Sequence, residues 1–274
     1  MCIWLGVSRA GYYEWRDRPE SATARRREEL KLLIRYSFDE SDGTYGYRRV
    51  HADLARWGHP CSPELVRSLM RELTLVPCQP RPWRWCLTDG AGAGRVPDLV
   101  ARDFTAEHPG EKLVGDITYI STWEGWLYLA TVIDCCTKEV IGYAMDDNYK
   151  TPLINTAIRM AKRNHRIKRH AIFHSDQGSN YMSRSFAKTL RKLKLRQSTG
   201  RTGICYDNAM AESFFGALKN ERVHRTEYPT REHARRDIAR YIEFRYNTKR
   251  LHSSLGYKTP REAREEHTPR HRMA

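Results

Sequence analysis

The run Leu113-Val114-Gly115-Asp116-Ile117-Thr118-Tyr119-Ile120 constrains the fold most, because it is strand-like and has an acid at its centre. β-Branched and aromatic residues dominate it, and a period of two places Asp116 on one face with Val114 and Thr118. An acid in mid-strand is unusual. Trp126 to Asp134 and Val140 to Met145 read as two more strands, the first two joined through the turn-prone Thr122-Trp123-Glu124-Gly125. Three strands in succession predict an antiparallel meander.

Two further acids stand in different local patterns. Asp176, within His174-Ser175-Asp176-Gln177-Gly178-Ser179-Asn180-Tyr181, closes the short apolar run Ala171-Ile172-Phe173. Ser183 then caps a helix through Phe186, Leu190 and Leu193. Asp176 therefore falls at a strand end, where open α/β sheets commonly place functional side chains. Glu212 falls on a helix that begins near Asp207 or Asn208 and runs to about Arg222. Met210, Ala211, Phe214, Ala217 and Leu218 make its apolar face, while Glu212 and Lys219 share the opposite face with Asn208 and Gly216. Lys219 next to Glu212 suits a DNA phosphate, although an exposed Glu and Lys on one helix face are more often simply solvated.

Three carboxylates are hard oxygen ligands, the kind that hold two divalent ions about 3.5–4 Å apart for in-line displacement at phosphorus. Asp116, Asp176 and Glu212 are therefore both the candidate catalytic residues and the candidate ligands of two Mg²⁺ ions, with Mn²⁺ as a substitute. The eleven histidines and seven cysteines show no zinc-ligand spacing. Among 33 acidic residues spacing alone decides little, and Asp134, Asp146 and Asp147 are rivals at strand ends, where aspartate commonly makes turns.

At these residues the chain resembles the insertion-sequence-three family of transposases, specifically its second-frame product, whose catalytic half is related to retroviral integrases. The resemblance rests on Val114 to Ile120, Ile133-Asp134, His174 to Tyr181, Asp207 to Glu221, Tyr241 to Asn247 and Arg250 to Pro260. It implies an α/β, RNase H-like core with a mixed five-stranded sheet flanked by helices, Leu195 to Ser198 supplying the fifth strand. It implies that the acids converge at one edge, and that a basic residue seven positions after the glutamate, here Lys219, is functional. Further implications are a first-frame product that acts fused or separate, and a circular intermediate made when one element end attacks the same strand near the other.

A formal net charge of +15 and a pI near 9.6 imply a polyanionic partner, most often nucleic acid. No run of 18 apolar residues suits a membrane span, the start lacks a signal-peptide pattern, and the cysteines form no evident pairing framework. A bacterial cytoplasm, at the nucleoid, is the simplest setting.

Residues 1–80 read as an all-α, helix-turn-helix-like DNA-binding region. Leu5 to Tyr13 looks like the turn and start of a second helix, with Ser8 as cap and Arg9 near its N-terminus. A stronger pair is Tyr47 to Trp57, stopped by Gly58, and a helix opened by Ser62-Pro63 with an apolar stripe of Val66, Leu69, Met70 and Leu73. Arg67 and Arg71 on that helix are candidate DNA contacts. Arg25-Arg26-Arg27 reads as a solvated face. Pro77 to Pro97, with four prolines and three glycines, indicates a linker within 81–108. The catalytic core with its C-terminal helices then spans 109–266, and 267–274 is a basic tail.

The sequence thus predicts a DNA transposase that cuts one strand at insertion-sequence ends and joins the freed 3′-OH to another phosphodiester. Its partners would be terminal inverted repeats, target DNA and further copies of itself. An RNase H-like nuclease that only hydrolyses, and a catalytically silent DNA-binding derivative, are the alternatives.

Overall fold

A computed structural model describes residues 2–78, 96–200 and 208–267, and the chain divides into two units, Met1–Cys78 and Gln79–Ala274. In the first unit α2 (Ala22–Glu40), α3 (Tyr47–Arg56) and α4 (Pro63–Glu72) pack around Leu30, Ile34, Val50, Leu54, Val66, Leu69 and Met70. The expected start signal of α4 is present: Ser62 Oγ accepts the Leu65 N–H at 3.2 Å, with Pro63 in the first turn. Arg25 and Arg26 are exposed as expected, whereas Arg27 pairs with Glu72 of α4 at 2.5 Å. Ahead of this bundle, Ser8 Oγ caps α1 (Arg9–Asp17) by accepting the Gly11 N–H at 2.9 Å. That helix buries no residue, and residues 2–6 form only a turn.

The second unit is built on a five-stranded mixed sheet in the order β3-β2-β1-β4-β5. The meander is found: β1 (Lys112–Thr122), β2 (Gly125–Asp134) and β3 (Val140–Asp146) are antiparallel neighbours. β4 (Ile172–Ser175) and β5 (Arg196–Thr199) extend the sheet in parallel. Because β3 runs in the same direction as β4, a hairpin cannot join them; the connection must cross the sheet. α5 (Thr151–Asn164) makes that crossing and buries Leu153, Ile154, Ala157, Ile158 and Ala161. The sequence reading had not singled it out. α6 (Arg184–Lys192) returns β4 to β5, its N-terminus capped as expected by Ser183 on the Phe186 N–H at 3.2 Å.

One sheet face packs on α5 and α6 through Leu113, Val132, Ile158, Phe173, Phe186 and Leu190. The other packs on α7 (Ala209–Glu221) and α8 (Arg231–Arg240) through Val114, Ile133, Phe214, Leu218 and Ile238. After α8 the chain makes a π-helical stretch, Tyr241–Tyr246, and closes with α9 (Pro260–Glu266).

Composition assigned 81–108 to a linker, but its latter part is held to the core. Thr199 N–H donates to Pro97 O at 3.3 Å, Leu99 N–H donates to Ser198 Oγ at 2.9 Å, and Val100 is buried. The earlier part, 81–95, and the tail from 268 onward lie outside the described residues. The C-terminal signature serves the sheet directly. Asn247 Oδ1 accepts the Val140 N–H and its Nδ2 donates to Val140 O, both at 3.0 Å, so one side chain satisfies the start of edge strand β3.

Asn247→Ala should lower unfolding stability by about 2 kcal/mol, since it strands a buried N–H and C=O. Urea denaturation followed by circular dichroism measures this, and an unchanged midpoint would show that water replaces the amide at no cost.

Candidate active site

Asp116 lies where β1 outruns its neighbour. β4 pairs with β1 only from Lys112 to Val114, so the next residues of β1 pass beyond the end of β4, where Asp176 follows Ser175. Gly115 makes the close approach possible: a Cβ there would come within 2.2 Å of Phe173 Cζ. Register sets Asp116 opposite Thr131, in line with the Val114–Ile133 and Ile120–Leu127 pairs that lie in the core shared with α7. Glu212 is in the first turn of α7. The helix buries Ala211, Phe214, Phe215 and Leu218, so the expected apolar face shifts to include Phe215, with Met210 and Ala217 partly buried at its margins. Asn208, expected on the polar face, is buried.

The three acids are brought within electrostatic reach of one another, and Asp116 is the shared member. Its carboxyl is pushed up to about 7, first by burial and then by the charge of Asp176; Glu212 adds to this, while the Ile117 N–H and Lys219 oppose it. Asp176 is raised by the surrounding protein, against a hydrogen bond from the Gly178 N–H at 3.1 Å and the charge of His174. Glu212 is raised by burial. Asp176 is nevertheless accessible at the surface, and Asp116 and Glu212 partly so. The Tyr181 hydroxyl, buried in the opposite core, is raised by burial and then by the charges of Asp116 and Asp176.

Lys219 is half-buried, its ammonium lowered by burial and supported by Asp116. Its Nζ lies 4.9 Å from the centroid of the Tyr119 ring. The lysine thus lies over the Tyr119 ring and feels the charge of Asp116, and it makes no ion pair with Glu212 along its own helix. The rival acids have other employment. Asp134 accepts the N–H groups of Gly110, Cys136 and Thr137 and shapes the turn after β2. Asp146 accepts the Asp147 N–H at 2.8 Å, and Asp147 accepts from Asn148 Nδ2 at 2.9 Å.

Among the described residues no three His, Cys, Asp or Glu side chains close around a single ion. The donor set nonetheless fits oxygen-seeking divalent ions: three carboxylates stay raised even though Lys219 acts on Asp116 and His174 on Asp176. Thr131, which sequence reading did not single out, is the cross-strand neighbour of Asp116. Its buried Oγ1, on the residue opposite Asp116, has no hydrogen-bond partner among the described groups, and neither does Asn208 Oδ1 at the start of α7.

In the first unit, Arg67 and Arg71 are exposed on α4, on the side away from Val66, Leu69 and Met70. Arg67 lies 5.8 Å above the Tyr47 ring. Arg9 is exposed at the first position of α1.

Models of the integrase core domain match residues 106–205 and 193–260, and an HTH-like domain matches 25–83, which takes in α3 and α4 but not Arg9. The insertion element IS600 uncharacterized 31 kDa protein of Shigella sonnei is 37% identical over the whole of both chains. Transposase InsF for insertion sequence IS3A of Escherichia coli (strain K12) is 35% identical over 95% of this chain and 91% of that one. In fold, the chain is similar to a simian T-cell lymphotropic virus intasome in complex with PP2A regulatory subunit B56 gamma. The TM-score is 0.50 at 16% identity, over 80% of this chain and 75% of that one.

A carboxyl raised in the folded state binds protons that the unfolded chain has released, so its stabilising contribution is present below the unfolded value and is lost as pH rises through about 7. Asp116→Asn should therefore stabilise the metal-free protein at pH 8 by about 1–2 kcal/mol after solvent screening, and the gain should vanish near pH 4. Thermal denaturation in chelator at both pH values checks this; equal melting temperatures at pH 8 would show that the acids do not strain the fold.

Proposed function

Because the chain belongs to the insertion-sequence-three family of transposases, we propose that it cuts one DNA strand at the ends of its element and joins the freed 3′-OH to a second phosphodiester. The observation that carries this reading is the position of Asp116, within reach of both Asp176 and Glu212 at the open end of β1 and β4. Asp116 with Asp176 would hold one Mg²⁺ or Mn²⁺ ion, and Asp116 with Glu212 another. Bound there, such ions activate the attacking oxygen and stabilise the leaving oxygen.

The chain's own residues supply position and charge. The raised carboxyls of Asp116, Asp176 and Glu212 favour cation capture at the point where a phosphodiester must sit. Lys219, beside Asp116, receives a neighbouring phosphate of the same strand. Cleavage breaks a P–O3′ bond as water oxygen bonds to phosphorus, and the liberated 3′-OH repeats the displacement on the second phosphodiester. No side chain of the protein becomes bonded to DNA. Arg67 and Arg71 on α4 read or brace the terminal inverted repeats, with Arg9 as a further backbone contact. The full reaction needs two ends, so several copies assemble on the DNA, with the first-frame product fused or separate.

Asp116→Asn, Asp176→Asn and Glu212→Gln should each reduce cleavage and joining at least about a thousandfold while leaving end binding nearly intact. The assay is strand joining between element-end DNA and a target duplex with Mg²⁺. Near-normal cleavage by any variant would remove that acid from the site, and cutting without joining by the wild type would leave a nuclease.

Salt titration of binding separates the two kinds of DNA contact. Lys219→Ala should flatten the slope of log K against log salt by about 0.9 on any duplex. Arg67→Ala and Arg71→Ala should lower the preference for element ends over scrambled duplex by about five- to a hundredfold where they touch base edges. Unchanged preference in both arginine variants would move end recognition off α4.

A further inference from the structure

The hairpin between β1 and β2 presents three rings that the core does not use. Tyr119 is 55% exposed, Trp123 73% and Trp126 49%. Tyr119 and Trp126 meet edge to face, centroids 4.9 Å apart. Scattered exposed apolar residues need no explanation, but a contiguous aromatic patch marks an interaction site.

The hairpin is anchored. Trp123 N–H donates to Tyr228 O at 3.0 Å, and Thr122 Oγ1 donates to Gly125 O at 2.6 Å. From the start of α8, Arg231 donates its backbone N–H to Glu124 Oε2 at 2.8 Å and its Nε to Trp126 O at 3.1 Å. The backbone carrying the rings is thus fixed before any partner arrives, which reduces the ordering cost of binding.

Charge and position identify the partner. A groove of about 470 Å³ runs beside the rings, lined by Tyr119, Trp123, Trp126 and Lys219. Lys219 Nζ sits 4.9 Å from the Tyr119 centroid and also feels the charge of Asp116. Tyr119 lies three residues beyond Asp116 on one strand, about 10 Å at the rise of a β-strand. The pleat turns Tyr119 to the face opposite Asp116, so the link between ring and acid is Lys219, which comes from α7 to the Tyr119 ring. Aromatic rings beside a cation match a nucleic-acid strand whose bases have left the duplex, because only an unpaired base offers its flat face for stacking. A purely apolar protein partner would have no use for the lysine.

We propose that Tyr119 and Trp126 form a stacking platform for an unpaired base of the DNA end, while Lys219 holds the adjoining phosphate. The platform rests on the transposase reading for its choice of DNA. Its role is to hold the end open and in line, independent of base identity.

The test uses the full chain in chelator, so that binding is read without turnover. The probes are two element-end duplexes, one fully paired and one with its last two nucleotides unpaired and carrying 2-aminopurine. The wild type should prefer the unpaired end by about tenfold, and its fluorescence should fall on binding as the probe base stacks. Tyr119→Leu and Trp126→Leu should each reduce that preference at least about fivefold and abolish the fluorescence change, with paired-end affinity within about twofold of wild type. Tyr119→Phe should keep both signals. Since the rings are half exposed, melting temperatures should hardly move. Preference and fluorescence unchanged in both leucine variants would overturn the proposal. So would a change confined to the sedimentation coefficient, which would make the patch a contact between copies of the chain. Failure of the transposase reading is distinct: the wild type would show the unpaired-end signals yet neither cut nor join when Mg²⁺ is restored.

Discussion

A buried ion pair holds α7 in place. Glu221, at the last position of α7, accepts from Arg250 Nη2 at 2.7 Å and from its Nε at 2.9 Å, and Tyr241 donates to its second oxygen at 2.8 Å. Such a pair adds little net stability over apolar packing, because both charges lose their hydration, but removing one partner leaves a buried charge and costs about 3–5 kcal/mol. Its value here is position. α7 carries Glu212 and Lys219, and the pair ties that helix to the π-helical stretch and the loop after it. Arg222, just past the helix, repeats the arrangement by donating to both oxygens of Asp237 on α8.

The same clamp works against the site it serves. Asp116, Asp176 and Glu212 sit above the ordinary carboxylate range first because burial disfavours their charge, and Asp116 is raised further by the charges of the other two. Sheet geometry holds two of them: Asp116 cannot leave β1 without losing its pairing with β2, and Asp176 is tied to the end of β4. α7 brings the third. A site built on a strand, a strand end and a clamped helix keeps its spacing under repulsion, as a site built on loops would not. The strain persists because the surrounding core over-determines the backbone.

Around this centre the surface divides by task. The anchored hairpin of Tyr119 and Trp126 and the ammonium of Lys219 lie on the side of β1 that runs beyond β4. α4, in the other unit, turns its arginines outward and its aliphatic stripe inward. The C-terminal signature, which as sequence looks like part of a catalytic motif, is structural where it can be traced: Asn247 completes the edge of β3, and Arg250 neutralises Glu221.

What the sequence determined by itself is local. Period-two alternation marked the meander, serines followed by helical stripes marked the starts of α1, α4 and α6, and the family motifs picked out the three acids, because these signals depend on neighbours in the chain. The register was also within reach: counting outward in equal steps from Thr122 and Gly125 sets Thr131 opposite Asp116. Helix α5 was passed over, although its need follows from β3 and β4 running in parallel, a fact that exists only once strands are ordered in space. Composition made a linker of 81–108, but Pro97 and Leu99 within it are tied to Thr199 and Ser198 by contacts across some hundred residues. Helical projection set Lys219 beside Glu212, but the folded chain lays its ammonium over the Tyr119 ring, a contact between helix and strand that no helical projection contains. That Asp116 is the acid shared by the other two, and that Asp134 is consumed by a turn, were likewise decided by tertiary structure. A carboxylate's role depends on the charges and donors that reach it, and these come from distant parts of the sequence.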